Sequence, residues 1–159
     1  MLQTMTDAEL ERFVRSEIEE YLASMPDAVF GMLSPAFVRC SAANLSLTVR
    51  IHTSAWMRNA NNVCHGGAIA AMLDGMGGLL ARSLSKTGWI APTVCLQVSY
   101  LKAVPLDIDV DVTVAATHAG SQIIQLRSEL TDPTDEGEGA GEGEDKTLYA
   151  TGSGTQFVR

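Results

Sequence analysis

The sequence predicts an α+β domain in which an antiparallel sheet wraps around one buried helix. Three observations carry this reading. The stretch from Cys64 to Ala81 is apolar on nearly every side and holds one charged residue, Asp74. Strictly alternating apolar segments follow it, and the turns between them are too short for parallel crossovers. A helix that is apolar all round must be buried, and a sheet with one apolar face can bury it.

Taken in order, residues 6–25 place Leu10, Phe13, Val14, Ile18, Tyr21, Leu22 and Met25 on one face of a 3.6-residue period. Thr6 and Glu9 have the spacing of a capping box, and Pro26 ends the helix. Leu45, Leu47, Val49 and Ile51 then alternate with polar residues, which is the period of a half-buried strand. A polar loop from His52 to Asn62 leads into the apolar helix. That helix is long enough to approach a membrane span, but five of its 18 residues are Gly. Asp74 near its middle would cost roughly 2.5 kcal/mol or more in lipid. The soluble reading follows.

Four strands complete the order. Val94, Leu96, Val98 and Tyr100 define the first, and Leu106 to Val114 the second, with Asp107, Asp109 and Asp111 expected along one solvated face. Gly120 and Ser121 turn the chain into a third strand through Ile124, Leu126 and Leu130, and a last strand runs from Leu148 to about Val158. Residues 132–145, rich in Glu and Gly, read as a flexible acidic hairpin loop. The expected division is an N-terminal helical segment, residues 1–36, and a sheet domain, residues 37–159.

The 159 residues fit a single domain, and 46% are hydrophobic. A net charge of −8 argues against nucleic acid as a partner, since that affinity comes largely from Lys and Arg on phosphates. Cys40, Cys64 and Cys95 form no C-x-x-C pair, which fits a reduced interior, and the N-terminus has no export signal, so a cytoplasmic protein is expected. Three scattered histidines give no zinc spacing, and neither a phosphate-binding loop nor a G-x-S-x-G elbow occurs. No metal or cofactor is expected.

The chemistry concentrates where the loop enters the buried helix. His65-Gly66-Gly67 allows close approach to the first helical amides, whose unpaired N–H groups stabilise a developing oxyanion. Asp74 lies on nearly the same face as Gly67, roughly 10.5 Å further along the axis. It cannot reach a substrate held at its own helix start, but antiparallel helices at a twofold interface would bring it to the partner's. Gly75, Gly77 and Gly78, deeper in the helix, read as close-packing positions.

Asn59, then His65-Gly66-Gly67 six residues on, then Asp74 nine after the histidine, resemble the signature of hotdog-fold acyl-CoA thioesterases of the phenylacetate-degradation (PaaI-like) subgroup, within the 4-hydroxybenzoyl-CoA thioesterase superfamily. The run from Ala91 to Lys102 and the closing Ala150-Thr151-Gly152-Ser153-Gly154-Thr155 are similar to its later strands. The likeness covers roughly residues 44–158.

The resemblance implies hydrolysis of an acyl-CoA by a homodimer or homotetramer without a cofactor. By carry-over, Gly67 polarises the thioester carbonyl, His65 orders that loop, Gly66 binds the substrate, and Asn59 positions water or the carbonyl. Asp74 of the facing subunit activates water or attacks directly. In some relatives a hydroxyl on the following strand holds the water; Cys95 aligns there, and Thr93 is expected on the same face. Arg58, Arg82, Lys86 and Lys102 are candidate partners for the coenzyme phosphates. Residues flanking Asp74 and opening the next strand are expected to shape the acyl pocket. A non-catalytic acyl-CoA sensor and a hotdog dehydratase or hydratase are the alternatives. The acidic loop holds seven of the nineteen carboxylates, so the other positions are nearly neutral and do not repel a polyanionic ligand.

Overall fold

Helix α1 (Asp7–Ser24) starts at Thr6, whose hydroxyl accepts from the Glu9 amide while the Glu9 carboxylate accepts from the Thr6 amide, which closes the capping box. In this computed structural model, residues 5–85, 90–133 and 146–158 are described. Leu10, Val14 and Ile18 of α1 are buried, as the periodicity requires, and Pro26 follows its end. A five-residue helix, α2 (Val29–Leu33), comes next and was not visible in the pattern, because one turn and a half is too short to display a period.

The segment before the buried helix forms two strands rather than one. β1 (Ala36–Ser41) and β2 (Ser46–His52) make a hairpin whose turn places Leu45 at φ 46°. A bulge between Phe37 and Arg39 breaks the alternation of β1, which is why its period does not show in the sequence. After a 3₁₀ turn at Ala55–Met57, helix α3 (Gly66–Leu84) crosses the domain, and β3 (Thr93–Tyr100), β4 (Asp109–Ala119), β5 (Ile123–Thr131) and β6 (Leu148–Phe157) complete the sheet.

The six strands form one antiparallel sheet in the order β1-β2-β4-β5-β6-β3. α3 packs on one face of it, touching β2, β3, β4, β5 and β6, while α1 packs against both β1 and α3, and α2 against α3 and α1. Leu73, Met76 and Leu80 of the helix meet the inward rows Val110, Val112, Val114 and Ile124, Leu126, Leu130 in one apolar core. This is the sheet-wrapped helix that the sequence predicts.

Two further expectations are corrected. β3 and β4 are consecutive but not neighbours: the chain leaves β3 at one edge and re-enters between β2 and β5. Asp111 does not join Asp107 and Asp109 in solvent. It is only 1% exposed, opposite Arg50 on β2, whose guanidinium holds both its carboxylate oxygens at 2.9 and 3.2 Å. Among the described residues, no helix is long and apolar enough to cross a membrane. Lys86 and residues 134–145 of the acidic loop lie outside the described residues.

Candidate active site

The loop entering α3 is pinned from below. The Thr53 hydroxyl lies within hydrogen-bond distance of the carbonyls of Pro105 and Ile108 and donates to one of them, the Cys64 amide bonds the Val104 carbonyl, and the His65 amide bonds that of Met57. Asn59 organises the loop itself: its Oδ1 accepts from the amides of Asn61 (2.8 Å) and Val63 (3.3 Å). Cys64 is buried, and burial pushes its thiol up to about 11, so it packs as a small apolar residue rather than a nucleophile.

His65 is the N-cap of α3, and its Nδ1 accepts from the Gly67 amide at 2.8 Å. Its neutral ring therefore carries the proton on Nε2. The Gly67 N–H is thus committed within the helix cap. The first helical residue is Gly66, and its amide has no intrahelical acceptor by helix geometry. Tyr100 of β3 donates to the Gly66 carbonyl at 3.0 Å, and a Cβ at Gly66 would come within 3.3 Å of the Tyr100 ring. A larger residue there would need the exposed Tyr100 ring to give by a few tenths of an ångström.

Asp74 sits two turns along the same helix. Its Oδ1 accepts from the Thr93 hydroxyl at 2.6 Å, and Gln156 Oε1 lies 3.0 Å from that hydroxyl. A hydroxyl has one proton, and the shorter contact, to the charged acceptor, takes it. Thr93 and Cys95 do not share a face. A bulge pairs Thr93 with Gln156 and Cys95 with Thr155, and adjacent residues of β6 point to opposite sides, so Cys95 turns away from α3.

Two cavities separate the candidates. One, of about 310 Å³, is lined by Asp74, Thr93, Gly75, Gly78, Arg82 and Ile90 together with Glu17, Tyr21 and Phe30 from the N-terminal helices. The other, of about 320 Å³, holds Asn59, Gly66, Tyr100 and Lys102. Arg82 lines the first, paired with Glu17, while Arg58 is exposed in the loop.

Residues 61–138 match the family model of the thioesterase superfamily. The structure resembles the PaaI protein of the Escherichia coli phenylacetic acid degradation operon, with a TM-score of 0.75 and 15% identity over 98% of this chain and 96% of that one. It also resembles a phenylacetic acid degradation-related protein of Ralstonia eutropha, with a TM-score of 0.72 and 21% identity over 94% and 99% of the two chains. This chain has the hotdog fold of the thioesterase superfamily. A Streptococcus mutans protein solved with acetyl-CoA shares that fold at a TM-score of 0.64 and 20% identity, over 79% of this chain and 88% of that one. No curated protein sequence matches.

Within this hotdog fold, Tyr100, Glu17, Tyr21 and Phe30 are site-lining residues that sequence reasoning missed. The tyrosine looked like one more apolar position of an alternating strand. The other three belong to helices that precede the matched segment, and nothing in their spacing ties them to Asp74. Gly75 and Gly78 also change role, since both line the cavity, whereas Gly77 packs with its would-be Cβ 3.1 Å from Leu126.

Proposed function

We propose that this chain hydrolyses acyl-CoA thioesters, in sites assembled between two copies of itself. The observation that carries this reading is Asp74, the one carboxylate of α3, held by the Thr93 hydroxyl at the wall of a cavity. A module that only binds its ligand needs no such group.

Gly66 and Asp74 are eight residues apart on α3, roughly 12 Å along the axis, too far for one thioester carbonyl to meet both in one chain. A twofold axis with the two α3 helices antiparallel brings each Asp74 to the other copy's Gly66. β3 is suited to such pairing. It is an edge strand with exposed apolar side chains, Val94 at 62% and Tyr100 at 54%, and an open edge pairs readily with a second strand.

In the assembled site the Gly66 amide, at the positive end of the helix, polarises the thioester carbonyl. This role moves from Gly67 because the Gly67 N–H already serves His65. Asp74 of the facing copy takes a proton from water as its oxygen bonds the carbonyl carbon. The tetrahedral oxyanion collapses, the carbon–sulfur bond breaks, and the coenzyme leaves as its thiol with the proton that Asp74 held. Asn59 shapes the loop through Oδ1, and its Nδ2 amide is the group available to the carbonyl or water. Lys102, exposed beside the Gly66 cavity, is the cation best located for a coenzyme phosphate.

A thiol-release assay with acetyl-, hexanoyl-, dodecanoyl- and phenylacetyl-CoA tests the reading. Release that disappears in Asp74→Asn is expected. Binding of acyl-CoA with no release from any of the four would make the chain a sensor instead.

A further inference from the structure

The cavity beside Asp74 continues past the reacting centre, and its far end is built by residues outside the segment that matches the thioesterase superfamily. Asp74, Gly75, Gly78, Leu79 and Arg82 form one stripe of α3 facing it. Two of these lack a side chain. A Cβ at Gly75 would lie 3.5 Å from the Phe30 ring, and at Gly78, among the described residues, it would meet only the Ala91 carbonyl oxygen, at 4.0 Å. The stripe is therefore a groove floor, with Phe30 on one side and Ile90, Ala91 and Pro92 on the other.

At the end of this groove the Arg82 guanidinium pairs with the Glu17 carboxylate of α1. The two side chains are only 27% and 11% exposed, and burial lifts the Glu17 carboxyl above the usual range even though Arg82 opposes the shift. An apolar groove thus begins at a reactive carboxylate and ends at a partly desolvated ion pair.

We propose that the acyl group lies over Gly75 and Gly78 and stops against the Glu17–Arg82 pair, so that the N-terminal helix sets the longest acyl chain accepted. This rests on the thioesterase reading for the position of the carbonyl. From Asp74 to Arg82 the helix rises roughly 12 Å, room for a medium-length chain. A longer chain must cover the pair with methylene groups or push its members apart. Covering removes the water that still solvates them, and separation leaves two poorly compensated charges, so either is strongly disfavoured.

The test replaces the stop without leaving a lone charge. The double variant Glu17→Leu/Arg82→Met keeps the volume, and apolar replacement of a buried ion pair is often neutral for folding. Binding of hexanoyl-CoA and dodecanoyl-CoA is measured by calorimetry in an Asp74→Asn background, and thiol release with Asp74 intact. The ratio of dodecanoyl to hexanoyl affinity is expected to rise at least tenfold, with kcat/KM following. Gly78→Val, which fills the groove floor, is expected to weaken hexanoyl-CoA at least tenfold relative to acetyl-CoA, and it remains informative if the double variant does not fold. Thiol release with neither ratio changed overturns the proposal and leaves the thioesterase reading standing. Shifted binding ratios with no release from any substrate support the groove and overturn hydrolysis. Binding of none of the three acyl-CoAs overturns both.

Discussion

The Thr93 hydroxyl stands 2.6 Å from Asp74 Oδ1, so the first residue of β3 fixes the carboxylate of the central helix. The bond exists because a bulge turns Thr93, and not Cys95, toward α3. Losing a charge-assisted hydrogen bond costs about 1.5–3 kcal/mol, so Thr93→Val is expected to lower kcat roughly tenfold to a hundredfold. KM should change little, and Thr93→Ser should keep most of the rate. Steady-state kinetics on one acyl-CoA measure both. An unchanged kcat in Thr93→Val would remove the hydroxyl from the mechanism.

Shared sites have a signature in mixed populations. Asp74→Asn and Gly66→Val damage opposite halves of the site, so a dimer carrying one of each keeps one intact site. After equal mixing, half the dimers are of this kind, and recovery of about a quarter of wild-type activity is expected. Subunit exchange is verified by mass spectrometry of differently tagged chains. Exchange without recovery would place each site within one chain.

Gly31 is a packing position on which the cavity wall depends. A Cβ there would overlap the Met25 carbonyl oxygen and lie 2.8 Å from Pro26 Cα, so backbone just after α1 would have to shift. Gly31→Ala is expected to destabilise the fold by about 1–3 kcal/mol, measured by urea unfolding. Because Phe30 is the adjacent residue, hexanoyl-CoA binding should weaken as well.

Asp132, where the chain leaves β5, accepts from the Tyr149 hydroxyl at 2.7 Å and from the Thr147 amide at 3.0 Å. The tyrosine bond first, then the amide, holds its carboxyl below the usual range. A depressed carboxyl stabilises the fold fully above its unfolded value near pH 4 and loses that contribution as pH falls through the lower folded value. Tyr149 itself is pushed up to about 12, chiefly by burial, so its contribution is fully present below its unfolded value near pH 10 and is lost as pH rises from there through the folded value. Tyr149→Phe is expected to cost about 1 kcal/mol at pH 7. The difference from wild type should shrink below pH 4 in thermal melts. A pH-independent difference would mean that packing, not this bond, carries the effect.

Much of the fold was legible because its signals are local. The Thr6–Glu9 capping box, the apolar run of α3 and the alternation in β4 and β5 each lie within one element, where side-chain period reports burial directly. The joint spacing of Asn59, His65, Gly66, Gly67 and Asp74 was legible for the same reason: it spans one loop and one helix. β1 was not, since its bulge breaks the period, and neither was the burial of Asp111, which depends on Arg50 arriving from another strand.

The sequence by itself determined the buried helix, the antiparallel strands around it and the carboxylate two turns from a glycine-rich helix entry. Tertiary structure alone decided the rest. It made His65 the acceptor of the Gly67 amide, brought Thr93 to Asp74, left a groove over Gly75 and Gly78, and closed that groove with Glu17 from a helix 65 positions away from Arg82. The physical reason is that periodicity records only whether a side chain is buried. Which partner it meets there depends on strand order, on one-residue bulges and on helix packing between distant segments, and none of these leaves a period in the chain.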